Sequence, residues 1–181
     1  MARVLKLLKG QRRKEPINGA IVVLPSNALG SKPIERPKDE AAQLRQRLDE
    51  MVHQLGIRFP VYLVISKCDL LAGFNEFFES LPESEKAQAM GFVNSDPVNA
   101  GASGFPQRAF RTICDRAARL QVASLAEADR GDAARRLFIF PAELKTLQEP
   151  LKVFLDVLFR PSPYQDPPFF KLPTRFQLEN F

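Results

Sequence analysis

The sequence predicts an α/β domain built on a parallel sheet of at least three strands flanked by helices. Three observations carry that reading. Asn18–Leu24 and Val61–Ile65 are short runs of β-branched and other apolar residues, the signature of strands covered on both faces. Between them, Leu44, Leu48, Met51, Val52 and Leu55 recur at helical spacing. Strand, helix, strand with a crossover of about 35 residues makes a βαβ unit, whose strands run parallel with a right-handed connection. Finally, Arg136–Phe140 reads as a third strand and Pro141 as the start of a further helix, so the pattern repeats.

In chain order, Ala2–Lys9 is a short helix in which Arg3, Lys6 and Lys9 separate Val4, Leu5, Leu7 and Leu8, with Gly10 as its stop. It reads as a helix packed on the sheet with its cations in water, or as a dock for anionic lipid or an acidic partner. After Leu24 comes Pro25-Ser26-Asn27, then a loop over Ala28–Lys38 that holds Gly30, Pro33 and Pro37. Asp39 is placed to cap the next helix, which Gly56 closes, and Arg45, Arg47, Asp49 and Glu50 form its solvated face. Phe74, Phe77 and Phe78 have helical spacing and read as core. A helix over Ser80–Ala89 is entered at Pro82. Gly91–Pro106 is a loop rich in Gly, Asn, Ser and Pro. Gln107–Asp129 is a long helix with Phe110, Ile113, Ala117 and Leu120 inward and Arg111, Arg116 and Arg119 outward. Ala142–Phe159 is the last helix, with Leu144, Leu147, Leu151, Phe154, Leu155 and Leu158 on one stripe. Residues 1–159 therefore make one domain. Residues 160–181 carry Pro161, Pro163, Pro167, Pro168 and Pro173 and form a Pro-rich extended segment. Its Phe169, Phe170, Phe176 and Phe181 call for a docking surface.

Charge and composition narrow the function. The net charge is +5, but Arg3, Lys6, Lys9, Arg12, Arg13 and Lys14 supply six cations, so the remainder stands at −1. A general nucleic-acid surface is not expected from that balance. A small basic adaptor on membrane or nucleic acid would need residues 3–14 as its whole site. Cys68 and Cys114 form neither a ligand cluster nor a disulfide framework and fit a reducing, cytoplasmic setting. His53 is the single histidine, so histidine-pair metal sites and triad chemistry lack material. No apolar run approaches the roughly 20 residues that span a bilayer. We therefore expect no catalytic residue, no metal and no bound cofactor in this chain.

One motif offers chemistry. Ser66-Lys67-Cys68-Asp69 follows the Val61–Ile65 strand, where the C-terminal edge of a parallel sheet binds ligands in open α/β folds. Its form is that of the base-reading Asn-Lys-x-Asp of GTPases. An Asp there can accept two hydrogen bonds from a guanine edge, and the Lys stem can lie over the nucleotide. The plainer reading has Asp69 capping a helix that starts at Leu70. None of the nine glycines stands in Gly-x-x-x-x-Gly-Lys-Ser/Thr, the loop that cradles phosphates.

Several stretches carry a resemblance. Glu15-Pro16-Ile17-Asn18-Gly19-Ala20-Ile21-Val22-Val23-Leu24 is similar to a strand of the TssM/IcmF proteins of type VI secretion systems. The stretch from Gly56 through the Ser66–Asp69 motif to Phe78 resembles the same family's Gly-x-Arg-x-Pro-Val-Tyr strand and the Lys-Cys-Asp-Leu turn after it. Phe138-Ile139-Phe140-Pro141 and Pro161–Pro168 resemble its later stretches. The resemblance implies the second half of a P-loop GTPase-like cytoplasmic domain that lacks its P-loop, with Ser66, Lys67 and Asp69 as the base-reading motif. Ser66 stands where GTPases carry Asn, which weakens guanine specificity. It further implies a structural role in an inner-membrane secretion complex, at its cytoplasmic face through the parent protein. Contacts would be with a TssL-like membrane protein, baseplate proteins or a second copy. The competing reading is part of a nucleoside triphosphatase that energises assembly, where GTP or ATP would bind only with a phosphate loop supplied.

Overall fold

The computed structural model describes residues 2–12, 16–30, 35–57, 59–88, 90–92, 104–127, 131–160 and 177–178. It is an α/β fold around a parallel pair of strands, β1 (Ala20–Pro25) and β2 (Val61–Ser66). Ala20 lies opposite Val61 and Pro25 opposite Ser66, so the two strands end level. On the other edge of β2, Gln177–Leu178 pair parallel with Val64 and Ile65.

The helices are α1 (Ala2–Gln11), α2 (Ser26–Gly30), α3 (Glu35–Leu55), α4 (Phe74–Glu79), α5 (Glu83–Lys86), α6 (Phe105–Glu127), α7 (Asp132–Thr146) and α8 (Gln148–Leu158). Val22, Leu24, Val61, Leu63 and Ile65 are buried in one core with Leu48 and Leu55 of α3, Phe110 and Ile113 of α6, and Leu151, Phe154, Leu155 and Leu158 of α8. Each such set recurs at the period of its own element, 2.0 in the strands and 3.6 in the helices.

Several sequence expectations are corrected. The third strand expected at Arg136–Phe140 is helical and lies inside α7, as does Pro141, which opens no helix. A proline inside a helix removes the N–H that would bond four residues back, here to the Leu137 carbonyl. The Gln121 side chain of α6 takes that place, its Nε2 donating to the Leu137 and Phe138 carbonyls at 3.1 and 2.8 Å. The single helix expected over Ala142–Phe159 is divided at Leu147. The loop expected at Ala28–Lys38 takes in the end of α2 and the start of α3, so Asp39 lies within a helix rather than at its cap. Helix α1 runs one residue past Gly10, and α5 is a single turn. Coverage of both sheet faces also fails at β1, whose Ile21 and Val23 are exposed, 69% and 55%. The Gly-rich loop at 93–103 and most of the Pro-rich segment, residues 161–176 and 179–181, lie outside the described residues.

Two charged side chains expected in solvent serve packing instead. Arg45 Nε donates to both carboxylate oxygens of Asp49 at 2.9 and 2.8 Å. Its Nη1 donates to the carbonyls of Leu158 and Arg160, each at 3.0 Å, and so satisfies acceptors that the end of α8 leaves open. Arg116 bonds Glu85 at 2.8 Å and Gln88 at 3.0 Å, tying the α5 turn to α6.

Helix α7 is seated on the turn that precedes α4. Gly73 has φ +79°, and a Cβ there would overlap the Arg136 carbonyl oxygen and approach Phe140 N to 3.2 Å. One turn along, the Phe140 ring enters a cluster with Phe74 and Phe77, at centroid distances of 5.6 and 4.7 Å. Substituting Gly73→Ala combines a left-handed backbone with a backbone clash. It is expected to cost at least about 2 kcal/mol in urea unfolding; a cost under about 0.5 kcal/mol would show that α7 moves aside freely.

Candidate functional site

The end of β2 turns in three residues. Ser66 is the last residue of the strand and half-buried. Lys67 has φ 55° and ψ 38°, the one non-glycine residue with positive φ among those described. Cys68–Leu70 then form a single 3-10 turn. Cys68 is fully buried, its Sγ 3.5 Å from the Ile65 carbonyl oxygen, while Lys67 and Asp69 on either side are exposed. The small apolar plug between two polar residues aims both polar side chains outward. Burial, then the neighbouring Asp69 carboxylate, pushes the Cys68 thiol up to about 12, so it stays protonated and unreactive at neutral pH.

The neighbouring strand end supports this turn. Ser26, the first residue after β1, is almost completely buried, and its hydroxyl donates to the Lys67 carbonyl at 2.5 Å. One hydrogen bond therefore joins the two parallel strands beyond their last ladder pair, Pro25 with Ser66. The sequence motif gave no hint of Ser26. Only the register of the two strands brings it opposite Lys67.

The structure thus places Ser66, Lys67 and Asp69 together at the C-terminal rim of the sheet, with Lys67 and Asp69 facing water. Asp69 lies inside the 3-10 turn and caps no helix at Leu70; α4 begins at Phe74, behind Gly73. Such a rim can present a carboxylate and an ammonium to a flat polar ligand. Among the described residues no group of His, Cys, Asp and Glu could hold a metal ion. Cys114, the other thiol, is also buried and pushed up to about 11, mainly by burial.

A second feature lies away from the rim. Along α6 and α7, Leu125, Gly131, Asp132, Ala134, Arg135, Phe138 and Ile139 line an open groove of about 850 Å³. Phe138 is 67% exposed although it belongs to the same short apolar stretch as the core residue Phe140. Val122, one residue beyond the Gln121 that grips the Phe138 carbonyl, is exposed too.

The strand pair, its rim and the helices around it come from a sequence that matches the IcmF-related N-terminal domain over residues 2–171. The chain belongs to the IcmF-related family. A relative in this TssM/IcmF family, the type VI secretion system component TssM1 of Pseudomonas aeruginosa, is 34% identical over 172 residues. That match covers 92% of this chain and 15% of the relative, so the chain corresponds to a small part of the longer protein. No solved structure matches the chain. The IcmF-related match takes in β1, β2, the rim and all eight helices of the described residues, and ends before Gln177–Leu178. Among the described residues no helix is long and apolar enough to cross a membrane.

The strain at Lys67 is testable. A left-handed lysine costs about 1 kcal/mol, so Lys67→Gly is expected to raise unfolding stability by up to that amount in urea denaturation. A loss of stability would mean that the lysine stem, through packing, more than offsets the strain.

Proposed function

We propose that this chain is a structural part of a type VI secretion assembly and works through protein–protein contacts. The observation that carries the reading is the α6/α7 groove. Phe138 and Ile139 stand outward there, and Leu125 and Arg135 line the groove with them. Exposed aromatic and arginine side chains around an apolar hollow are the composition of protein interfaces. The groove suits an amphipathic helix from another secretion component, a TssL-like membrane protein or a baseplate protein, or a second copy. The membership of the chain in the TssM/IcmF family supports the secretion role and a position on the cytoplasmic face of the inner membrane through a parent protein.

The rim at Ser66, Lys67 and Asp69 fits a GTPase-like half-domain reduced to a base-binding edge. The sequence carries no stretch of the Gly-x-x-x-x-Gly-Lys-Ser/Thr type, the loop that grips phosphates in GTPases. Titration of the chain with fluorescent GTP or ATP analogues is therefore expected to show no saturable binding below about 1 mM. Micromolar binding lost in Asp69→Ala would favour the competing reading, a nucleoside triphosphatase that energises assembly.

The contact role has its own test. Phe138→Glu with Ile139→Glu, placed in the protein that contains this chain, is expected to abolish secretion. The same pair in the isolated chain is expected to shift its thermal midpoint by no more than about 2 °C, since both side chains already face water. Full secretion by the double variant would remove the groove from the mechanism.

A further inference from the structure

Helix α1 has two faces at work, and only one of them serves the fold. Leu5 is buried and Leu8 half-buried, and they pack α1 against α3. Lys9 Nζ donates to the Gln54 carbonyl at 3.1 Å and pins α1 to the last turn of α3. An amphipathic helix so seated should leave only its polar residues in water. Instead Val4 and Leu7, one turn apart and thus on one flank, are 59% and 66% exposed. Arg3, Lys6 and Arg12 are exposed alongside them.

The charge that α1 itself carries is one-sided. No acidic residue occurs between positions 2 and 12, and the first 14 residues hold six cations against a remainder of −1. Among the described residues, α1 and the Arg12 that follows it therefore carry four cations and no acid on the segment that also bares two aliphatic side chains. The flank has no aromatic side chain and carries Lys6, whereas a protein hot spot favours Trp and Tyr and interfaces are poor in Lys. The composition speaks against nucleic acid as well, since Val and Leu between the cations have no phosphate or base to meet. It matches a helix lying in a bilayer interface, where aliphatic side chains enter the headgroup boundary and Lys and Arg stems reach back to lipid phosphates.

We propose that α1 is a docking face for an anionic lipid surface, with Val4 and Leu7 inserted and Arg3 and Lys6 on the headgroups. Two shallow aliphatic residues and a few cations make a reversible, salt-sensitive contact rather than an anchor. The proposal uses a surface separate from the α6/α7 groove and stands whether or not that groove has a partner.

The test is co-sedimentation of the full 181-residue chain with phosphatidylcholine vesicles, with and without roughly 30% phosphatidylglycerol. At about 0.05 M salt the chain is expected to sediment at least about threefold more with the anionic vesicles, and to be released at about 0.5 M salt. Arg3→Glu with Lys6→Glu is expected to abolish the difference. Leu7→Ser is expected to reduce it by about half or more while circular dichroism and the thermal midpoint stay unchanged, since these side chains carry none of the core. Arg119→Glu, which reverses an exposed cation on α6, should leave binding as it was. Equal sedimentation with neutral vesicles, binding that survives high salt, or wild-type binding by the Arg3, Lys6 double variant would each overturn the proposal.

Discussion

The seating of α7 against Gly73 is the contact on which the rest of the architecture leans. Gly73 lies four residues after Asp69, and its missing side chain lets the Arg136 carbonyl come into van der Waals range of the α4 entry. That approach drives Phe140 among Phe74, Phe77 and Phe78, where ring pairs at 4.3 to 6.3 Å close the core behind the rim. Offset and edge-on aromatic pairs of this kind are worth about 0.5–1.5 kcal/mol each beyond the area they bury. The turn carrying Lys67 and Asp69 is therefore held from below, through Cys68, and from one side by Ser26. The α4–α7 contact fixes the chain a few residues further on. A rim supported in this way fixes the backbone from which Lys67 and Asp69 project.

Where a local pattern decided the structure, the sequence reading and the structure agree. Val61–Ile65 and the Ala20–Leu24 run are strands because β-branched residues fill a pleated surface, and the helical stripes of α3, α6 and α8 meet the core residue by residue. The reading failed where a distant residue decided it. Arg136–Phe140 looks like a strand because Leu, Phe, Ile and Phe form a short apolar run that ends at a proline. It is a helix because Gln121, on another helix, supplies the hydrogen bond that Pro141 cannot. Nothing within ten residues of Pro141 records that compensation. Arg45 misled in the same way. Its spacing from Asp49 marks a surface ion pair, yet its other nitrogen serves carbonyls more than a hundred residues away.

The candidate site divides along the same line. That Ser66, Lys67 and Asp69 sit at a strand terminus was legible, because a buried run ending in polar residues in a parallel sheet has one place to go. That Asp69 belongs to a 3-10 turn, and that Lys67 takes a left-handed conformation, was not. Both follow from the need to bury Cys68 one residue after the strand while the chain reverses toward Gly73. Lysine has no special tolerance for positive φ. Its conformation is imposed by the neighbours, and the Ser26 hydroxyl on its carbonyl is the visible restraint.

The exposed apolar residues complete the argument about role. Single exposed aliphatics such as Leu70 and Val122 are ordinary on any protein, but others here fall in pairs on one element: Val4 with Leu7, Ile21 with Val23, and Phe138 with Ile139. Parallel sheets are normally covered on both faces, yet Ile21 and Val23 leave one face of β1 bare, and β1 is an edge strand among the described residues. An enzyme site gathers polar groups in one hollow. Among the described residues this chain exposes apolar side chains on a helix flank, on a sheet face and along a groove, and its strand-end rim holds three polar residues. That distribution of surface is the physical ground for the contact role proposed above, while the packing of Cys68 and Gly73 holds the backbone on either side of Asp69.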